Sequence, residues 1–219
     1  MLRSRARQIV ELYRKLDYVF LIYSVRVHGA DLVENPQLLH EVRWHGRAGQ
    51  GVITSSRLLA QAALLEGKYV QAFPEFGPER LGAPISGFTR ISDEVIETRS
   101  QIYNPEFVVV LDPSLLATVN VTRGLLEDGK VILNSPKRST EMASKLSLDQ
   151  SRVRTIDATH LAMEIAKRPI VNTAMLGALA RVAPLAALKS IEKAIKDRFP
   201  GSLGEQNVEL IRRVYEMVE

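Results

Sequence analysis

Short apolar segments alternate with helix-like segments along most of this chain, and this alternation strongly limits the folds open to it. Residues 107–111 read Phe-Val-Val-Val-Leu, a continuous apolar run typical of a strand buried on both faces of a parallel sheet. Short apolar strands that alternate with helices favour such a sheet with helices on both faces. We therefore predict an α/β fold, with a doubly wound, mostly parallel sheet and a short N-terminal appendage.

The individual elements follow from apolar periodicity and from the positions of Gly and Pro. Strands are predicted at residues 41–45, 69–73, 85–91, 107–111, 131–134 and 152–157, and helices at residues 52–66, 114–127, 159–167, 172–182, 188–199 and 204–218. Gly67 is the predicted residue that ends the first helix. Because ligands of such folds gather at the carboxyl ends of strands, the loops after His45, Phe73, Leu111 and Asn134 are the candidate site.

Residues 1–40 differ in composition from the rest, and we predict them to be a separate basic appendage, made of a helix and a strand, before an α/β domain at residues 41–219. Residues 1–28 hold six Lys or Arg and two Asp or Glu, so their net charge of +4 equals that of the whole chain. The body is neutral and shows no recurring basic face with interleaved aromatic residues, which disfavours nucleic-acid binding. The appendage is more typical of an arm that faces solvent or a partner protein.

Several classes of protein are excluded or disfavoured by composition. The chain has no cysteine, so it cannot hold a thiolate-bound iron–sulfur cluster, a disulfide or a cysteine zinc site. Its four histidines show no tight metal-ligand spacing, and no metal site or catalytic residue is predicted. The longest apolar run, residues 18–25, is too short to span a bilayer and has no secretory cleavage site, so we expect a cytoplasmic protein without membrane contact.

The segment after the first strand of the domain is a glycine-rich turn at the start of a helix, where backbone N–H groups can meet an anion. Gly46 and Gly51 have the spacing of a P-loop, but Val52 and Ile53 follow where that loop needs Lys and then Ser or Thr. The same glycines fit the ends of a dinucleotide loop, but Ala48 occupies its middle glycine position. Hydrolysis of a nucleotide and autonomous NAD binding are therefore both disfavoured.

Two interpretations of the glycine turn remain open. It is either a tight turn that uses glycine for its backbone geometry or a site for a phosphate or carboxylate, which the charge of Arg47 favours. The candidate binding residues are Gly46, Arg47, Gly49, Gln50 and Gly51.

Residues 73–84 form a long loop that is rich in Pro, Gly and charge. Loops of this length are uncommon in compact domains unless they serve a function or an interface, although a plain charged surface loop is the alternative. Acid–base chemistry is disfavoured because no nucleophile or histidine lies nearby in the sequence. The candidate interface or ligand residues are Glu75, Gly77, Glu79, Arg80 and Gly82.

Polar residues also follow three other elements. Asp112 is interpreted as the N-cap of the next helix, and Asn172 as a helix cap. Asn134 and Ser135 are either a cap or a contact to a neighbour or ligand.

Two long motifs resemble the gamma domain of pyruvate and related 2-oxoacid:ferredoxin oxidoreductases. They read Trp-His-Gly-Arg-Ala-Gly-Gln-Gly-Val at residues 44–52 and Phe-Pro-Glu-Phe-Gly-Pro-Glu-Arg-Leu-Gly-Ala-Pro at residues 73–84. Shorter agreements occur at residues 110–113, 132–135 and 172–178. The resemblance runs from about residue 41 to the C-terminus and departs from the usual family pattern at Ala48, where glycine is common.

The resemblance implies a gamma subunit that works inside a larger complex. Such complexes decarboxylate a 2-oxoacid on thiamine diphosphate with Mg, pass electrons through [4Fe–4S] clusters to ferredoxin, and transfer the acyl group to coenzyme A. The thiamine and cluster sites belong to partner alpha, beta and ferredoxin-like delta subunits. For this chain the resemblance implies subunit contacts and a share of the coenzyme A site through the glycine turn, with no redox centre of its own.

Alternatives remain within and outside this family. Pyruvate is the expected substrate, but subunits for 2-oxoglutarate, branched-chain oxoacids or indolepyruvate, or for a reaction without coenzyme A, share the resemblance. A structural assembly subunit without any ligand contact is a further alternative. A free-standing nucleotide-binding module is disfavoured by Ala48 and Val52.

Overall fold

A mixed sheet of seven strands organises the chain in the computed structural model, which describes residues 21–23, 39–75, 82–169 and 171–218. The strands are β1 (Leu21–Tyr23), β2 (Leu39–Arg47), β3 (Tyr69–Pro74), β4 (Pro84–Ser92), β5 (Phe107–Val110), β6 (Lys130–Asn134) and β7 (Val153–Ile156). Their order across the sheet is β1-β3-β4-β2-β5-β6-β7. Strands β2, β5, β6 and β7 pair in parallel, whereas β1, β3, β4 and β2 pair antiparallel. The sheet thus divides at β2 into a parallel half and an antiparallel half.

Six helices accompany the sheet in the described chain. They are α1 (Val52–Leu65), α2 (Ser139–Leu146), α3 (Ala158–Ala166), α4 (Val171–Val182), α5 (Leu188–Arg198) and α6 (Ser202–Met217). Helices α1 and α4 pack on one face of the sheet, and α3, α5 and α6 pack against them to complete a helix layer. Helix α2 packs on the opposite face of the parallel half. The predicted α/β class with helices on both faces is confirmed, but the sheet is mixed and not mostly parallel, because three of its six strand pairings are antiparallel.

The junction between β2, β4 and α1 is fixed by a buried chain of hydrogen bonds. Trp44 is fully buried, and its indole Nε1–H donates to Thr89 Oγ1 at 3.0 Å. The Thr89 hydroxyl in turn donates to the Ser56 carbonyl of α1 at 3.1 Å. Gly87 of β4 allows this close approach, because an added Cβ would lie 3.1 Å from Val52 Cγ1. The start of α1 is therefore held firmly against the sheet.

One predicted helix is wrong. Residues 114–127 form a 3₁₀ helix at Pro113–Ala117 and then turns. The Arg43 guanidinium donates to the carbonyls of Val121 and Arg123, which an α-helix would use for its own hydrogen bonds. β-branched residues at positions 118, 119, 121 and 122 also lower helix propensity. Conversely, helix α2 was not predicted, because it is short and has a narrow apolar face.

Two parts of the predicted appendage are described: strand β1, which pairs with the outer edge of β3, and residues 39–40, which begin β2. The predicted helix and most of the predicted strand of residues 1–40 lie outside the described residues, so the domain boundary stays a prediction. Within the described residues, no helix combines the length and apolar character needed to cross a membrane.

Candidate functional site

The glycine turn joins the end of β2 to the start of α1 at the carboxyl edge of the parallel half. Gly51 has φ +80° and serves as the N-cap of α1, a left-handed conformation that favours glycine. Gly46 is required for packing, because an added Cβ would lie 2.5 Å from Val52 Cγ2. The geometric interpretation of these two glycines is therefore correct, and it leaves the question of a ligand to the side chains around them.

Arg47 lies at the centre of this edge and joins three segments of chain. Its Nε donates to Asp112 Oδ2 at 3.1 Å, its Nη2 to Ser114 Oγ at 2.9 Å, and its Nη1 to the Gly82 carbonyl at 3.0 Å. The side chain is still 33% exposed. A guanidinium has five N–H donors, and among the described residues none contacts the second hydrogen of Nη1 or of Nη2. Arg47 is thus anchored by Asp112, Ser114 and Gly82, and its other donors have no partner among the described residues.

Asp112 receives three hydrogen bonds in this arrangement. Its Oδ2 accepts from Arg47 Nε and from Gln50 Nε2 at 2.9 Å, and its Oδ1 accepts from the Ser114 backbone N–H at 2.9 Å. Burial alone would raise the pKa of the carboxyl group, but the hydrogen bonds from Ser114 and Gln50 and the charge of Arg47 outweigh it and lower the pKa. Asp112 therefore stays ionised at neutral pH. We call Arg47, Gln50, Asp112 and Ser114 the Arg47–Asp112 cluster.

Gln50 connects this cluster to the backbone of the glycine turn. While its amide N–H donates to Asp112, its Oε1 accepts from the Arg47 backbone N–H at 2.7 Å. The carboxylate thereby holds both the Arg47 side chain and, through Gln50, the backbone from which that side chain extends.

The two long sequence motifs meet at this edge. The Ala48 N–H donates to the Ala83 carbonyl at 2.9 Å, and the Gly82 N–H donates to the Ala48 carbonyl at 3.3 Å. Ala48 therefore uses its backbone to join the glycine turn to the end of the second motif, and its φ is not positive, so its backbone conformation does not require glycine. Of the other candidates in the second motif, Glu75 is exposed, whereas Gly77, Glu79 and Arg80 lie outside the described residues.

Asn172 is the second residue of α4 and not its cap, and its side chain packs on the glycine turn from the side of that helix. Its side chain lies over Gly51, where an added Cβ would be 2.7 Å from Asn172 Nδ2. Its carbonyl accepts a hydrogen bond from Ser55 Oγ at 3.0 Å. The first turn of α4 is in this way fixed against the first turn of α1.

The sequence places the glycine turn and the loop that begins at Asp112 at one edge of the sheet, but it predicts no contact between them and does not include Ser114 or Asn172 in the candidate site. The N-cap role of Asp112 is confirmed, since it caps the 3₁₀ helix at Pro113–Ala117. Its position directly after a buried parallel strand was the available signal, because the carboxyl ends of neighbouring parallel strands share one edge.

Asn134, at the end of β6, has a different role from the cluster. Its Nδ2 donates to the Leu111 carbonyl at 2.9 Å and to Thr159 Oγ1 at 3.0 Å, and its Oδ1 accepts from the Thr159 N–H. These contacts tie β5, β6 and α3 together, so of the two interpretations of Asn134 the structure favours the one in which it caps a helix.

His45 is in β2, just before the glycine turn, and its side chain lies on the sheet face opposite the helix layer. Its Nε2 accepts from Arg43 Nε at 3.1 Å. Burial, and then the charge of Arg43, lower the pKa of His45 to about 3. At neutral pH this imidazole is an uncharged acceptor. Within the described residues, no group of three or more His, Cys, Asp or Glu side chains is placed to hold a metal ion.

Comparison with known proteins gives consistent matches over the domain. The model of the family "Pyruvate ferredoxin/flavodoxin oxidoreductase" matches residues 41–217. A Pyrococcus furiosus protein, the pyruvate/ketoisovalerate oxidoreductases common subunit gamma, is 53% identical over 179 residues, which are 82% of this chain and 97% of that protein. The pyruvate synthase subunit PorC of Methanothermobacter marburgensis is 50% identical over 179 residues, with the same two coverages of 82% and 97%.

A solved structure agrees with these sequence matches. The crystal structure of pyruvate oxidoreductase subunit PORC from Thermotoga maritima superposes with a TM-score of 0.74 at 43% identity, and the match covers 83% of this chain and 97% of that one.

Proposed function

The chain belongs to the pyruvate ferredoxin/flavodoxin oxidoreductase family as a gamma-type subunit of a 2-oxoacid:ferredoxin oxidoreductase, and from this premise we propose that its glycine turn forms part of a coenzyme A site. The proposed complex acts on pyruvate and yields acetyl-coenzyme A. Coenzyme A supplies the thiol that accepts the acyl group, and this chain supplies contacts to its anionic part.

The Arg47–Asp112 cluster is the observation that carries this proposal. It holds a guanidinium with donors that are unpaired among the described residues, in the turn that leads into α1, where the first backbone N–H groups have no acceptor within the helix. Both features favour a phosphate, because the helix dipole adds about 0.3–1 kcal/mol at an exposed site and guanidinium–phosphate hydrogen bonds are charge-assisted. Gly49 is exposed at the outer part of the turn, so a large anion can approach the backbone.

The remaining chemistry is assigned to partners. A chain without cysteine cannot hold [4Fe–4S] clusters by thiolates, so we place the clusters, thiamine diphosphate and Mg on the alpha, beta and ferredoxin-like delta subunits. Ferredoxin is the proposed electron acceptor, and a cytoplasmic location stays a prediction. The work left for this chain is to bind and orient coenzyme A and to contact its partner subunits.

A structural assembly subunit is the second candidate function. It is favoured by the fact that Arg47 already has partners within the chain, in Asp112, Ser114 and the Gly82 carbonyl. In that case the cluster would only fix the turn to the second motif for subunit contact, and coenzyme A affinity would not depend on it.

Arg47→Ala in the reconstituted complex separates the two candidates. Loss of a charge-assisted contact worth about 1.5–3 kcal/mol should raise the KM for coenzyme A about ten- to a hundredfold. The KM for pyruvate should not change, because the oxoacid binds on other subunits. Two titrations, one of coenzyme A and one of pyruvate, with assay of acetyl-coenzyme A as product, measure both effects.

Arg57→Ala is the matched control for this experiment. Arg57 is an exposed arginine on α1, so its loss changes the charge of the same helix without touching the cluster. The KM for coenzyme A should keep its wild-type value in this variant. An unchanged KM in Arg47→Ala as well would favour the structural assembly subunit.

A further inference from the structure

We infer that Asp112 is a positioning residue for coenzyme A binding, which holds Arg47 and the glycine turn in the orientation that receives the phosphate. This inference rests on the proposed function. It assigns to Asp112 a role beyond that of a helix cap, and it makes a carboxylate necessary for the binding of an anion.

The position of Asp112 is set by the sheet. The Leu111 N–H donates to the His45 carbonyl at 2.8 Å, so the pairing of β5 with β2 continues up to the residue before Asp112. Leu111 is buried, and Pro113 fixes the backbone on the other side. The Asp112 carboxylate therefore extends from a rigid base and is only 16% exposed.

The backbone at Arg47 does not fix its side chain in a comparable way. Arg47 is the last residue of β2, and its long side chain has several rotatable bonds that must be fixed before its donors point in one direction. The Asp112 Oδ2 atom holds the Nε side of the guanidinium, and the same atom holds Gln50, which in turn holds the Arg47 backbone N–H. One carboxylate oxygen thus fixes both ends of the Arg47 side chain.

Charge and orientation predict opposite effects for removal of this carboxylate. Asp112 is an anion close to the proposed phosphate position, so by Coulomb's law alone its loss should strengthen the binding of coenzyme A. If Asp112 instead orients the donors, its loss should weaken binding, because misplaced donors lose the advantage of preorganisation. The sign of the change in affinity therefore decides between the two.

Asp112→Asn in the reconstituted complex is the direct test. The amide keeps the size and can still cap the 3₁₀ helix through its oxygen, but its NH₂ group only donates and can accept from neither Arg47 Nε nor Gln50 Nε2. We expect the KM for coenzyme A to rise about tenfold. The KM for pyruvate and the rate of oxoacid-dependent formation of the thiamine intermediate should stay at their wild-type values.

A double-mutant cycle tests whether Asp112 acts through Arg47. In the Arg47→Ala background, Asp112→Asn should raise the KM for coenzyme A by much less than tenfold, because the side chain to be positioned is gone and only the hold on the turn through Gln50 remains to be lost. A full additional tenfold rise in that background would contradict action through Arg47.

Two further variants complete the design. Asp112→Glu keeps the charge but moves the carboxylate, so a raised KM for coenzyme A supports positioning even if Asp112→Asn does not fold. Asp157→Asn is the matched control, because Asp157 also follows a parallel strand and caps a helix through the His160 N–H, away from the cluster. Its KM for coenzyme A should be unchanged.

The outcomes distinguish this inference from the function on which it rests. If Arg47→Ala raises the KM for coenzyme A while Asp112→Asn leaves it unchanged or lowers it, the positioning role is overturned and the coenzyme A site stands. If Arg47→Ala itself has no effect, the proposed site is overturned, and the inference with it.

Discussion

The two halves of the sheet bury very different side chains on the face opposite the helix layer. In the parallel half this face is aliphatic, with Val108 and Val110 of β5 packed with residues of β6, β7 and α2. In the antiparallel half the same face buries Arg43, His45 and Arg90. On this face the first half is held by apolar packing, whereas the second combines the packing of Phe88 on Phe73 with hydrogen bonds of buried polar groups, although β2 belongs to both. One sheet can therefore combine two kinds of stabilisation that respond differently to mutation and pH.

Arg90 shows how the antiparallel half is held together. It is 1% exposed, and its guanidinium donates to Glu41 Oε1 at 2.7 Å, to Gln71 Oε1 at 3.1 Å and to the Gln101 carbonyl at 3.2 Å. The guanidinium also lies 5.4 Å from the centre of the Phe73 ring. These contacts tie an irregular segment to the sheet, in the position that a helix occupies in the other half.

The largest effect that we expect from this comparison is that of Arg90→Ala. The change leaves a partly buried carboxylate and two buried oxygen acceptors without their donor, and the free energy of unfolding should fall by about 3–5 kcal/mol. Urea unfolding of the purified chain, followed by circular dichroism, measures it. A loss below about 1 kcal/mol would mean that the polar network contributes little to stability. The double variant Arg90→Met with Glu41→Leu, which removes both charges, should recover most of the loss.

Val110→Ala is the corresponding change in the parallel half, and we expect a smaller loss of about 2 kcal/mol. Val110 is fully buried and lies directly opposite His45 in the paired strands, so it probes the boundary between the halves. The loss combines the transfer free energy of two methyl groups with the cavity that they leave. The same urea titration applies. A loss larger than that of Arg90→Ala would reverse the proposed order.

The smallest effect concerns pH and belongs to His45. Its pKa is about 3 in the folded chain against an ordinary value of 6.5, so between these values the unfolded chain binds the proton more readily. The contribution to stability is complete above pH 6.5 and is lost as the pH falls towards 3. From pH 7 to pH 5.5 the free energy of unfolding should fall by about 1 kcal/mol from this group.

His45→Gln isolates this effect from that of the other titrating groups. A glutamine oxygen can still accept from Arg43 Nε but does not take up a proton in this range. Denaturation of both proteins at a series of pH values should show the difference between them shrink by that amount as the pH falls. Parallel pH profiles would place the pKa of His45 near its ordinary value.

The contrast between apolar packing and long-range hydrogen bonds also explains which elements can be predicted from the sequence. The strand at residues 107–111 and the helix at residues 172–182 are predicted correctly, as β5 and α4, because apolar periodicity is a local signal. The helix at residues 114–127 was predicted wrongly, because the Arg43 contacts that prevent it span 78 and 80 positions. Local patterns carry no information on such contacts.

The candidate site likewise has one part that a local sequence pattern predicts and one part that depends on a long-range contact. The glycine turn stands out in the sequence because its residues are contiguous. The Arg47–Asp112 pair joins positions 65 residues apart. The sequence predicts that both residues follow strands at the carboxyl edge of the sheet, but it does not predict that these two strands are neighbours and that the side chains meet.

Trp44 has a practical consequence for all of these experiments. It is the only tryptophan of the sequence, it is fully shielded from water, and it lies two residues before Gly46. An indole in such surroundings fluoresces at shorter wavelength than one in water, so the isolated chain carries its own optical probe at the base of the glycine turn. If a variant at Arg47 or Asp112 has the emission maximum of the wild type, the packing around Trp44 beneath the glycine turn is intact. A red shift would show that water has reached the indole.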